Sequence, residues 1–263
     1  MIKTLAKWLA FGTVAFILAL IYTIPAHLAA PYLPSNVQAD GIEGTVWNGQ
    51  AQNLKLENFD FGEVQWRIKH LHLLLGRLKA FVTFKDSNLQ GQGDVIVKLN
   101  ELDLEDLHVA GNTEFLSPYL ADYGASVNGT FALDLDALHA TAEGPQEAQG
   151  HLVWQDALLT APAKLPLGEV VVELKQQGDI AIATLKSDGT ALNLNGQADL
   201  QSGWQYTAKL MLEPTSDTPE EVRQTLALFG RPDARGAVTI NSGGVLPITE
   251  ILPLRSDQQE EEE

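Results

Sequence analysis

Leu78-Lys79-Ala80-Phe81-Val82-Thr83-Phe84-Lys85, followed after Asp86-Ser87-Asn88 by Val95-Ile96-Val97-Lys98-Leu99-Asn100, decides how this chain folds. Leu78, Ala80, Val82 and Phe84 alternate with Lys79, Phe81, Thr83 and Lys85; Val95, Val97 and Leu99 alternate with Ile96, Lys98 and Asn100. Successive side chains of a strand point to opposite faces, so this period of two predicts half-buried strands with one wet face. The pattern recurs upstream in Val64, Trp66 and Ile68. Downstream it returns in Leu102 and Leu104, in Phe131-Leu133-Leu135, in Val170-Val172-Leu174, in Leu192-Leu194 and in Trp204-Tyr206-Ala208-Leu210-Leu212. Turn triplets separate the runs: Gln177-Gly178-Asp179, Ser187-Asp188-Gly189 and Gln201-Ser202-Gly203. Gly44, Gly129, Gly150, Gly196 and Gly236 each precede a strand-like run, where glycine permits a bulge or a sharp entry. The expectation is a mainly β chain, a largely antiparallel curved sheet or sandwich with a few short helices.

Three segments depart from the alternation. His70 to Gly76 is too densely apolar for one strand face and reads as a crossover or short helical turn. Glu114 to Tyr123 reads as a short helix containing a proline. In Thr218 to Phe229, Thr218 is placed at the N-cap, Pro219 at the first helical position and Glu221 in a capping box. Val222, Leu226 and Phe229 then form its apolar stripe, ended by Gly230 and Pro232.

At the N-terminus, Trp8 to Ile24 read WLAFGTVAFILALIYTI, and AHLAA extends the apolar character to Ala30. About 20 apolar residues cross a ~30 Å hydrocarbon core, so residues 8–30 are expected to be an uncleaved single-pass signal anchor. Lys3 and Lys7 precede it, and Trp8 to Leu54 hold no Lys or Arg. The positive-inside bias therefore makes residues 1–7 cytoplasmic and exports the chain beyond about residue 31. Residues 31–40 read as a linker, 41–248 as an exported β-rich domain and 249–263 as an acidic tail without periodicity.

The chain carries 17 basic and 34 acidic residues, a net charge of −17. Such a surface repels polyanions and argues against nucleic acid as a partner. With no cysteine there is no disulfide framework, thiolate nucleophile or Cys-type zinc site. His70 and His72, two apart, would share one strand face, but an ordinary polar pair explains them better than a metal. No P-loop, dinucleotide fingerprint, zinc-hydrolase motif or G-x-S-x-G elbow occurs, so no catalytic, cofactor-binding or metal-binding residue is assigned. The charges are unevenly spread. Arg67, Lys69, Arg77, Lys79 and Lys85 gather into a candidate basic docking face. Glu101, Asp103, Glu105, Asp134 and Asp136 mark a candidate acidic face, within a stretch from Leu99 to Ala163 that lacks Lys and Arg.

Gly44-Thr45-Val46-Trp47-Asn48-Gly49, close behind a signal anchor, resembles the G-T-h-W-x-G signature of protein N of the type II (general) secretion pathway; Gly44, Thr45, Trp47 and Gly49 match it. Further likeness runs through Val64 to Ile68, Leu73 to Leu78, Gly150 to Trp154 and Leu167-Gly168-Glu169. The resemblance implies a non-enzymatic accessory subunit of the inner membrane, its bulk in the periplasm. It would contact other secretion subunits and support export of folded periplasmic proteins across the outer membrane. The family has no catalytic residues and no cofactor to carry over. The Gly-opened strands also look like the β modules of membrane-anchored AsmA-type proteins, which implies an alternative, a groove for lipid acyl chains in envelope lipid homeostasis. Oligomeric state is left open.

Overall fold

The computed structural model describes residues 13, 16, 19–33, 36–57, 59–121, 124–162, 164–189 and 191–246. Fourteen strands form one sheet: β1 (Val37–Asp40), β2 (Glu43–Thr45), β3 (Asn48–Leu56), β4 (Phe59–Ile68), β5 (Leu78–Lys85), β6 (Leu89–Lys98), β7 (Glu101–Asn112), β8 (Ser126–Thr141), β9 (Gly144–Ala161), β10 (Leu165–Gln177), β11 (Ile180–Asp188), β12 (Leu192–Leu200), β13 (Gln205–Pro214) and β14 (Val238–Val245). From β3 onward every strand pairs antiparallel with its successor. β1 pairs with β3 at one end, and β2 folds back on β3 beside the main path. The mainly β, antiparallel reading holds; a second packed sheet, which a sandwich would need, is absent from the described residues.

The period-two pattern becomes two opposed rows. Val109, Leu133, Leu152, Val172, Leu185, Gly196, Leu210 and Ile240 stand opposite one another in turn from β7 to β14, giving an apolar line across eight strands. On the other face His108, Asp134, His151, Glu173, Thr184, Gln197, Lys209 and Asn241 follow the same register, and all are polar. A one-residue slip would exchange the two rows, which is why register is well specified here.

The apolar face is covered where chain is available to lie on it. The largest buried cluster joins Ala157, Leu165, Leu167, Val170, Leu192, Leu194, Leu212 and Val238 to Leu226 of the helix Glu220–Leu226. Val222 and Phe229 pack against the same cluster, as their spacing predicts. The helix start differs from expectation: Pro219 holds the N-cap position without a side-chain cap. Thr218 instead turns its hydroxyl toward the Ala191 carbonyl, and the Thr215 amide donates to that hydroxyl at 2.7 Å. Elsewhere Phe59, Phe61, Phe84, Phe115 and Phe131 form a chain of ring contacts at 5.3–6.3 Å, with Phe115 supplied by the 3-10 helix Thr113–Leu116. That helix and Ser117–Ala121 realise the short helical segment expected from 114 onward; 122 and 123 lie outside the described residues.

The remaining departures are local. Gly129 and Gly150 sit inside β8 and β9, and Gly196 inside β12, rather than ahead of strands; Gly129, at φ +130°, forms the register shift between Asn128 and Thr130. Trp204 precedes β13 in a 3-10 turn at φ +55°, because its buried indole donates to the Thr141 carbonyl at 3.1 Å. His70–Leu75 forms a 3-10 helix, the short helical turn expected there, so His70 and His72 do not share a strand face. Helical turns end at residue 22, and after Pro25 a separate 3-10 helix, Ala26–Tyr32, lies against the sheet with Ala26 buried. A continuous helix to Ala30 is therefore excluded. Among the described residues no helix is long and apolar enough to cross a membrane; residues 8–12, 14, 15, 17 and 18 of the expected span, with residues 1–7 and the tail 249–263, lie outside them. β1 falls within the stretch 31–40 read as a linker.

Candidate functional site

The Gly44 to Gly49 signature forms a clamp. Gly44 takes φ +83°, and a Cβ there would lie 2.6 Å from the Asn48 carbonyl oxygen. Asn48 donates its amide to Thr45 Oγ1 at 3.1 Å, which closes the tight β2–β3 turn. At Gly49 a Cβ would meet the Trp66 ring at 2.5 Å and the Glu43 and Thr45 carbonyls at 2.8 Å, so only glycine lets the indole lie flat across the turn. Trp66 Nε1 donates to the Val46 carbonyl at 2.9 Å.

The outer side of the turn grips the N-terminal segment. Trp47 Nε1 donates to the Ile21 carbonyl at 2.8 Å, and the Val46 amide to the Ile24 carbonyl at 3.0 Å. Ile21 lies in the last helical turn and Ile24 just beyond it, where backbone acceptors are left over for partners outside the helix. His70 stacks between Tyr22 and Trp47, with ring centroids at 5.5 and 5.0 Å. Beneath the 3-10 helix Ala26–Tyr32, Ala26, Ala51, Leu54 and Trp66 help enclose an apolar cavity of about 220 Å³. The sequence pairs His70 with His72; its packing between Tyr22 and Trp47 appears only once the fold brings the three rings together.

The candidate charged residues share the polar face, and several meet one another. Lys69 and Lys79 converge on Asp94 at 2.9 and 3.1 Å, and Lys79 also reaches Glu105 at 2.5 Å. Lys98 bridges Glu101 at 2.6 Å and Asp103 at 3.1 Å, while His139 Nδ1 bonds Asp103 from the next strand. His108 Nδ1 lies 2.6 Å from Asp134. Burial opposes charge on Asp94, but hydrogen bonds from Lys69 and Lys79 overcome it and hold the carboxyl below the ordinary range. Asp103 follows the same balance, with His139 and Lys98 as donors. Lys79 mirrors it: burial pulls the ammonium down, and the bonds to Glu105 and Asp94 raise it above its ordinary value.

Asp94, Lys98 and His139 are thus central to the ladder, although nothing along the chain marks them out from their neighbours. Arg67, Arg77 and Lys85 are exposed and make no ion pair among the described residues; Asp136, at the register shift between Leu135 and Ala137, makes none either. Beside the ladder a polar groove of about 520 Å³ is lined by Glu63, Gln65, Lys85, Gln92, His108 and Asp134. No group of three or more His, Cys, Asp or Glu side chains among the described residues could hold a metal ion. The arrangement suits recognition through charge and hydrogen bonding.

Comparison with known proteins gives this geometry a context. The family model for type II secretion system (T2SS), protein N matches residues 35–241. The type II secretion system protein N of Vibrio cholerae serotype O1 is 28% identical over 247 residues, covering 90% of this chain and 97% of the relative. The protein of that name from Aeromonas hydrophila is 28% identical, covering 88% and 94%, and that from Klebsiella pneumoniae 29%, covering 86% and 92%. No solved structure matches. These relatives lend no support to the AsmA-type alternative. With the family model matching residues 35–241, about four-fifths of its length, the chain belongs to the type II secretion system protein N family.

Proposed function

We propose that the protein is an inner-membrane subunit of a type II secretion system, working without catalysis through contacts with other subunits. The family match across residues 35–241 carries this reading. The N-terminal apolar segment would serve as a single-pass anchor, with residues 1–7 cytoplasmic and the sheet in the periplasm. Lys3 and Lys7 ahead of the apolar run favour that orientation. The Trp47 and Val46 hydrogen bonds to Ile21 and Ile24 would then hold the sheet at a fixed pose beside the membrane.

Docking would use charges that are not already spent within the sheet. Arg67, Arg77 and Lys85 supply the basic contacts and Asp136 an acidic one, while Lys69, Lys79, Glu101, Asp103, Glu105 and Asp134 shape the surface between them. Export of folded periplasmic proteins across the outer membrane is the process supported. Deleting the gene in a strain with a working type II system should impair secretion of several substrates, with restoration by the intact chain. A chain carrying Arg67→Glu and Arg77→Glu should restore less than the intact chain. Unchanged secretion of all substrates on deletion would overturn the reading.

A further inference from the structure

The hairpin ends of an antiparallel sheet alternate sides, and this places several apolar side chains at one end. The turns 45–48, 68–78 and 98–101 lie at the same end of the sheet, the end that Trp47 fastens to the N-terminal helix. There, Leu71 is 78% exposed, Leu75 69% and Leu99 92%, with Leu73, Leu78 and Val97 also open. The patch is continuous with exposed Leu20, Ile21 and Tyr22 through the Tyr22–His70–Trp47 stack. Arg77 stands among these leucines, exposed and without an ion pair among the described residues.

We infer that this end of the sheet is a second membrane contact, in which the Leu71–Leu75 crossover and the Leu99 hairpin sit in the headgroup region of the bilayer that the N-terminal segment enters. The inference rests on the anchor reading given above. Isolated exposed leucines are ordinary, but a cluster rimmed by cationic and aromatic groups has the composition of an interfacial surface. Lipid is the occupant because the patch runs directly into the apolar helix. Whatever solvent surrounds that helix also meets Leu71 and Leu75. The lone arginine fits anionic headgroups, which attract basic side chains over short distances.

The absence of cysteine allows single probes in the full-length chain. Leu71→Cys, Leu99→Cys, Phe16→Cys and Ser216→Cys variants would carry an environment-sensitive fluorophore, in vesicles of phosphatidylethanolamine and phosphatidylglycerol doped with brominated lipid. Ser216 is exposed near the opposite end of the sheet, beyond Pro214. The expected result is blue-shifted emission and bromolipid quenching at positions 16, 71 and 99, with neither at 216. Arg77→Glu should reduce the quenching at position 99. Probes at 71 and 99 that behave like the one at 216, while position 16 is quenched, would overturn this inference and leave the anchor intact. An unquenched probe at position 16 would overturn the anchor reading itself. Protection of 71 and 99 only after adding another protein would replace lipid by a protein partner.

Discussion

At the level of single residues, the signature is a packing solution before it is anything else. Gly49 is fixed by the Trp66 ring above it and two carbonyl oxygens beside it, none of which can retreat without opening the β2–β3 turn. Gly49→Ala should therefore destabilise the chain by about 2 kcal/mol, the usual range for forcing a methyl into occupied space. Chemical denaturation of the solubilised chain would show it as a lower midpoint; a midpoint equal to that of the unaltered protein would contradict the packing account. Trp47 has a different duty, since its indole N–H bonds the N-terminal segment while its ring meets His70 of the β4–β5 crossover. The same signature thus serves folding through its glycines and attachment through its tryptophan.

Among the strands, the ladder across β5 to β8 carries a pH signature of predictable sign. Asp94 and Asp103 titrate below 3.8 in the folded chain, so their contribution is complete above that value and disappears as pH falls through their lowered folded values. Lys79 and Lys98 titrate above 10.5, so their contribution is complete below that value and disappears as pH rises through their raised values. Melting temperature against pH should accordingly fall at both extremes. Asp94→Asn should weaken the acid dependence and cost about 2 kcal/mol near neutrality, because it removes a charged hydrogen-bond acceptor from two lysines. An unchanged acid limb in that variant would remove Asp94 from this role. Strand faces were legible in the sequence, because alternation around Val82 or Leu133 depends only on neighbours in the chain. The charge network was not. Lys79 finds Glu105 only after the β6 hairpin and β7 register are fixed, and two blocks of opposite sign read along the chain become interleaved partners. The choice between a single sheet and a sandwich was left open for a related reason: alternation establishes one apolar face without saying what covers it.

Over the whole molecule, a sheet in which each strand from β3 onward pairs with its successor approaches a one-dimensional array, whose stability is a sum of local terms. Those terms are unequal. The large buried cluster draws on β9, β10, β12, β13, β14 and the helix Glu220–Leu226, whereas β5 to β7 meet through the charge ladder and a smaller buried set, Ala80, Leu89 and Ile96. Leu226 is 1% exposed and supplies the helix's fully buried anchor, so Leu226→Ala should cost about 3 kcal/mol through lost burial and the cavity left behind. If stability is local, that loss should appear as faster amide exchange in β10, β12, β13 and β14, while β5 to β7 keep their rates. Hydrogen exchange with mass spectrometry resolves the two regions directly. Equal acceleration from β3 to β14 would show that the sheet opens as one cooperative unit. Acceleration confined to the strands beneath the helix would mean that the β5–β7 half, beside the N-terminal clamp, can stay folded while the far end opens.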